Sequence, residues 1–170
     1  MQEYVTDAIV LKKDSLGDLD GRYTLFTKRF GRIMAKAKSS RKITSKLAPH
    51  LEPGIVAKVR FIETKGAQLI DALKSGQVTL SLADLHFLSQ LLPDAEPEPA
   101  LWELLTDGNF TWGAALAILG WDPTDAECAT CGVHQPSYFY IARQEFYCRT
   151  HGAAASKAHK DGVLSIDARL

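Results

Sequence analysis

A chain of 170 residues, 46% hydrophobic and 24% charged, can bury one core or two small ones and is too apolar for wholesale disorder. Its 20 lysines and arginines offset its 20 aspartates and glutamates, for a formal net charge of zero. The longest apolar run, AALAILGW, is glycine-broken and too short for a membrane span, and MQEYVTDAIVLKKD lacks the form of a signal peptide, so the expected location is the cytoplasm with no membrane partner.

The neutral total conceals an asymmetry. Residues 1–74 hold 15 basic against 8 acidic residues, a net of +7; residues 75–170 hold 5 against 12, a net of −7. Such bipolarity predicts two domains with different partners, a barrel over 1–75 and a helical domain over 76–170. Three cysteines are a poor basis for a disulfide framework, and two of them form a C-x-x-C pair suited to a metal or redox site in a reducing compartment.

Period-two alternation marks the N-terminal strands. YVTDAIVLKK is a first strand, closed by the turn GDLDG, and RYTLFTKRF is a second. After Gly31, RIMAKAKS places Ile33, Ala35 and Ala37 on one face and Arg32, Met34, Lys36 and Lys38 on the other, because side chains alternate across a strand. IVAKVRFIET repeats the pattern, with Lys58 and Arg60 opposite Ile55, Ala57, Val59 and Phe61, and AQLIDAL follows the hairpin signal ETKG. Five short strands in about 70 residues suit a closed barrel; an OB-fold leads, an SH3-like barrel is second, and pattern alone does not separate them.

Within this half, residues 28–46 hold Lys28, Arg29, Arg32, Lys36, Lys38, Arg41, Lys42 and Lys46 and no acid. A solvated face normally interleaves both signs, so a one-sided run of this length points to nucleic acid or another polyanion. The loop SSRKITSK adds hydroxyls able to donate to phosphate oxygens. Among the nearby aromatics, Phe26 and Phe61 read as core and Tyr23 or Phe30 as the candidate for stacking a base.

From about residue 79 the period becomes helical. Leu82, Leu85, Leu88 and Leu91 or Leu92 form a stripe, Ser81 and Asp84 resemble a capping box, and Pro93 ends the helix before the acidic connector PDAEPEP. ALWELLTDG and FTWGAALAILG read as further helices, with Trp102, Trp112 and Trp121 as packing residues and His86 as a partly buried helix residue. The most specific local signal follows. Cys128 and Cys131 make one corner, and Cys148 and His151, 16 residues further on, make another with the same two-residue gap. This is the pairwise layout of a closed structural zinc site, about one ion in a knuckle over 126–152, with SYFYIARQEFY as its hairpin. His134 competes as a ligand with a less natural spacing. No phosphate loop, nucleophile elbow or paired carboxylates accompany it, so an enzyme is not expected and no small-molecule substrate is implied. The tail AAASKAHKDGVLSIDARL reads as a last helix or a frayed end.

The order of parts, with TDAIVLKKDSLGDLDGRYTLFTKRFGRIMAKAKSSRKITSKLAPHLEPG and later LLTDG…LAILGWDPTDAECATCG, resembles the bacterial RecO family of recombination mediators and strand-annealing proteins. The helical segment is shorter than is usual there, and His151 stands where zinc-binding relatives tend to have cysteine. The resemblance implies an N-terminal OB-fold and a DNA repair and recombination factor, without enzymatic activity, acting in the cytoplasm on the nucleoid. It implies binding of single- and double-stranded DNA, annealing of complementary strands, and work with RecR to help RecA displace single-strand-binding protein. The DNA contacts it implies are Arg32, Lys36, Lys38, Arg41, Lys42 and Lys46, with Lys28 and Arg29. Apart from the resemblance, the same parts would also serve a barrel-plus-ribbon RNA-binding or transcription-associated module.

Overall fold

The structure, a computed structural model, describes residues 2–159 and 162–166; the last residues of the expected C-terminal helix or frayed end lie outside them. It divides into two compact units, Met1–Trp102 and Glu103–Leu170. The sequence places this boundary after residue 75. It falls later because the first helix packs on the barrel's first strand and its connector pairs with the third, so both belong to the barrel.

In the first unit, β1 (Gln2–Leu16), β2 (Asp20–Thr27), β3 (Gly31–Ala37), β4 (Ile55–Glu63) and β5 (Ala67–Gln77) close a barrel in the order β1-β2-β3-β5-β4. β1 pairs antiparallel with both β2 and β4, with a bulge at Leu11 that bends this long strand across two neighbours. Closure comes from a short parallel seam in which Ala35, Ala37 and Lys36 of β3 face Ala67, Leu69 and Gln68 of β5. This Greek-key order is the OB arrangement and resolves the choice between barrels. The second strand stops at Thr27 rather than continuing to Phe30, because residues 28–30 turn into Gly31, and β5 runs four residues beyond the expected end at Leu73.

Alternation decides what fills the barrel. Ala8, Val10, Tyr23, Leu25, Ala35, Ala37, Ala57 and Val59 are fully buried inside it. Tyr23 is therefore a core residue and not a stacking platform, and Phe30 is half-buried in an edge-on cluster with Tyr4 and Phe61. On the outer side, the cross-strand partners Ile9 and Phe26 are also fully buried, with Phe26 5.9 Å from the Trp102 ring. Helix α1 (Leu82–Leu91) packs on β1 and buries Leu85, Leu88 and Leu91, while Leu82 stays 72% exposed and off the expected stripe. Its capping box forms as the sequence indicates: Ser81 Oγ accepts from the Asp84 N–H at 3.1 Å and Asp84 Oδ2 accepts from the Ser81 N–H at 3.2 Å.

After Pro93 the connector returns to the barrel. Asp94 bridges Arg32 as a parallel strand residue, and the Ala95 N–H donates to the Arg32 carbonyl at 2.9 Å. This strap continues the edge of β3 below the point where β5 covers it. Gly31 lies under it in the left-handed region (φ 64°), and a Cβ there would overlap the Glu96 backbone.

In the second unit, the connector leads through α2 (Pro99–Thr106), which spans the division between units, to α3 (Trp112–Ile118), capped by the Thr111 hydroxyl. The strands β6 (Tyr138–Tyr140), β7 (Glu145–Tyr147) and β8 (Val163–Ser165) form a sheet in the order β7-β6-β8. The tail thus supplies the latter part of α4 (Arg149–Ala158) and β8. Phe139 is fully buried at the centre, with ring centres 5.5 Å from Trp121 and 4.9 Å from Phe146. α4 sits so close to the sheet that a Cβ on Gly152 would overlap the Tyr138 ring. Among the described residues no helix is long and apolar enough to cross a membrane.

The strap gives a test. Gly31→Ala strains a left-handed residue and pushes on the Glu96 backbone, so it is expected to cost about 2 kcal/mol, read as a lower urea midpoint at unchanged m-value.

Candidate nucleic-acid interface and metal centre

The alternation of β3 delivers its cations to the outside. Lys36 and Lys38 are exposed at its C-terminal end, beside a cleft of about 210 Å³ whose rim also carries Met34, Lys65, Gln68 and Asp20. The parallel seam creates this cleft: it sets Lys36 beside Gln68 and so brings the β4–β5 turn, with Lys65, against the end of β3. Asp20 lies on the same rim, where its Oδ1 accepts the Ser39 N–H at 2.7 Å. Among the described residues, no carboxylate lies within ion-pair distance of Lys36, Lys38 or Lys65. Met34, 62% exposed, is the apolar side chain on this otherwise polar face.

The basic loop after β3 is pinned to the β1–β2 turn. The Arg41 N–H donates to the Leu19 carbonyl and its Nη1 to the Gly17 carbonyl, both at 2.9 Å. Lys42 and Lys46 are exposed beside it. Two of the loop hydroxyls expected to face phosphates are turned inward instead. Ser40 Oγ is buried and donates to the Ala37 carbonyl, and Ser45 Oγ accepts the N–H groups of Leu47 and Ala48 at the start of a 3₁₀ turn over Ala48–His50.

Three of the eight cations of residues 28–46 stand apart from this face. Arg32 Nε donates to Asp94 Oδ1 at 2.9 Å and its Nη1 donates to the Ser89 carbonyl, so its guanidinium joins β3 to the end of α1 and the strap. Its side chain is 22% exposed. Lys28 and Arg29 lie in the β2–β3 turn at the other end of β3, where Arg29 Nη1 donates to the Val5 carbonyl at 3.3 Å and its guanidinium covers the Phe30 ring. Lys65, in the ETKG turn, and Lys58, on the outward face of β4 with Arg60, join the cationic surface only through strand pairing.

In the second unit, Cys128, Cys131, Cys148 and His151 converge, with all four donor atoms within 4.8 Å of one another. His151 Nδ1 is 3.5 Å from Cys128 Sγ and 3.3 Å from Cys148 Sγ, and Cys131 Sγ is 3.9 Å from Cys148 Sγ. Tetrahedral zinc with bonds of about 2.3 Å to sulfur and about 2.0 Å to nitrogen separates its ligands by roughly 3.5–3.8 Å, so the quartet fits that ion. His134 is outside the quartet and pairs with Glu127 at 3.2 Å.

Local structure aims each donor. Gly132, at φ 70°, allows the tight turn in which its N–H donates to the Cys128 carbonyl at 2.8 Å. Cys148 is the N-cap of α4, so His151 projects from the first turn of that helix. Burial works against the Cys128 thiolate, but the N–H groups of Cys148, Thr130 and Cys131 and the His151 ring outweigh it, bringing its pKa down to about 6. For Cys131, the Val133 N–H favours the thiolate, yet burial and the sulfurs of Cys128 and Cys148 prevail and raise the pKa. Crowded sulfurs of this kind are what a divalent cation relieves.

A closed OB barrel with Lys36 exposed on its third strand and Lys38 just beyond it, followed by a unit with a Cys3His quartet, defines a class: an OB-fold protein with a metal-knuckle-type second unit. Residues 1–81 match the family described as Recombination protein O N terminal. The chain is 30% identical over 172 residues to "DNA repair protein RecO" of Thermodesulfovibrio yellowstonii, covering 86% of this chain and 69% of that protein. It is 28% identical over 162 residues to "DNA repair protein RecO" of Geobacter metallireducens, covering 81% and 66%. The chain belongs to the RecO family, and it spans about two thirds of the length of these relatives.

The two kinds of cation on β3 separate by experiment. Arg32→Ala is expected to lower unfolding free energy by about 1–2 kcal/mol, because it removes charge-assisted bonds to Asp94 and Ser89. Lys36→Ala, with no partner to lose, stays within about 0.5 kcal/mol in the same urea titration.

Proposed function

We propose that this chain is a DNA repair and recombination factor that acts by binding rather than by catalysis. Its barrel holds the phosphate backbone of single- and double-stranded DNA without reading sequence. The observation that carries this is the set of unpaired lysines, Lys36, Lys38 and Lys65, around the cleft at the end of β3, continued by Arg41, Lys42 and Lys46 in the pinned loop. Cations without carboxylate partners release the counterions of a polyanion when they bind it, which is the main source of non-specific affinity. The barrel is open to this use because OB-folds present the β2–β3 face and the turns beside it to oligonucleotides.

In this reading Lys36, Lys38, Lys42 and Lys46 contact phosphates directly, and Arg41 does so while bracing the loop. Arg32 acts by holding β3 to the strap, and Lys28 and Arg29 belong to a different surface. Family membership supports strand annealing and assistance to RecA on DNA coated with single-strand-binding protein, together with RecR, in the cytoplasm at the nucleoid. The quartet holds one structural zinc ion. Four protein donors leave it no open position, so it ties the Cys128–Cys131 turn to the start of α4 and does no chemistry.

Reversing Lys36, Lys38, Arg41 and Lys42 to glutamate is expected to remove most of the gel-shift affinity for single-stranded DNA. The parent protein loses affinity with salt at a log–log slope of roughly −0.7 per phosphate contacted. Unchanged affinity in the reversed protein overturns the reading, and preference for structured RNA at matched salt, without annealing of DNA, redirects it to an RNA partner. Metal analysis is expected to find about one zinc per chain, and Cys148→Ser or chelation to release it and unfold the knuckle with a loss of near-UV signal.

A further inference from the structure

The run at residues 28–46 is continuous in sequence but divides in space. Lys28 and Arg29 precede β3, whereas Lys36 and Lys38 stand at its far end, and the seven-residue strand sets its ends about 20 Å apart. That is more than two screening lengths at physiological salt, roughly 8 Å each, so the two ends act as separate electrostatic sites.

Each end has its own groove. Lys28 and Arg29 line a cleft of about 500 Å³ with Lys58, Val5 and Asp7. This cleft lies over the β1–β4 ladder, where Asp7 and Lys58 are cross-strand partners, and the β2–β3 turn flanks it, its Lys28 N–H donating to the Asp7 carbonyl at 2.9 Å. It shares no lining residue with the cleft around Lys36, Lys38 and Lys65, which lies on the β3–β5 seam. Three cations face one carboxylate there. Lys28 and Lys58 are exposed, and among the described residues neither has a carboxylate within ion-pair distance. Arg29 is steadied by the Val5 carbonyl and the Phe30 ring, which holds its charge at the groove's edge.

We propose that the barrel carries two phosphate-backbone sites, and that the Lys28–Arg29–Lys58 groove holds a second single strand while the Lys36–Lys38–Lys65 cleft holds the first. The inference rests on the DNA-binding reading above and adds its second site. A barrel loaded on both seams keeps two strands within one molecule, so their pairing becomes intramolecular and proceeds at an effective concentration set by the barrel.

The test counts short strands. Titration of the full chain with an oligothymidylate of ~8 nucleotides, short enough for one groove, is expected to reach two strands per chain by native mass spectrometry at low salt. Lys28→Glu with Lys58→Glu is expected to reduce this to one strand, bound within twofold of the original affinity and with an unchanged melting temperature. One strand per chain in the parent protein overturns the proposal, and so does a double variant that still binds two or that binds none. Lys36→Glu with Lys38→Glu is the separate control: if it leaves both strands bound, the DNA-binding reading fails at its first site, whatever the Lys28/Lys58 result.

Discussion

The barrel closes through a parallel contact only three residues long on each strand, Ala35–Ala37 of β3 against Ala67–Leu69 of β5. The register of this seam sets the position of every cation that matters on the first cleft. Because Ala35 and Ala37 point inward, Lys36 and Lys38 must point outward; because Lys36 lies beside Gln68, the β4–β5 turn delivers Lys65 to the same rim. A slip of one residue would send the lysines into a core made of Tyr23, Leu25 and Val59.

Where β5 leaves the edge of β3 uncovered, the connector after α1 takes its place. The pairing of Asp94 and Ala95 with Arg32 gives the strand's exposed polar groups partners, and Gly31 is the residue that lets the strap come close. One arginine of the basic run is thereby drawn into the fold, and the turn before it, with Lys28 and Arg29, is left facing another seam. A basic stretch that is uniform as text becomes a brace, a phosphate cleft and a second groove.

The second unit is organised by different means. Its sheet has three-residue strands, too short to be stable by themselves, around one buried phenylalanine. Four donors drawn from the Cys128–Cys131 turn and the start of α4 converge, and the lowered pKa of Cys128 reflects backbone N–H groups arranged to favour a thiolate. Gly152, pressed against Tyr138, allows α4 to approach the hairpin closely enough for His151 to reach the sulfurs.

Local patterns carried much of this in the sequence. Alternation identified the five barrel strands and the inward set of β3, Ser81 and Asp84 marked the start of α1, and two matched two-residue gaps chose Cys128, Cys131, Cys148 and His151 over His134. These features depend on neighbours a few residues apart, and short-range geometry settles them. Other features depended on contacts between distant segments. The order β1-β2-β3-β5-β4 excluded the competing barrel, the strap claimed Arg32, the core took Tyr23, and the domain boundary moved from 75 to 102 because α1 and its connector pack on strands far back in the chain. The sequence by itself determined which residues are cationic, which face of each strand they occupy and which four side chains can share a metal. Only the tertiary structure decided which cations stand together, because strand pairing joins Lys65 to Lys36, and Lys58 to Lys28, across separations that no local period records.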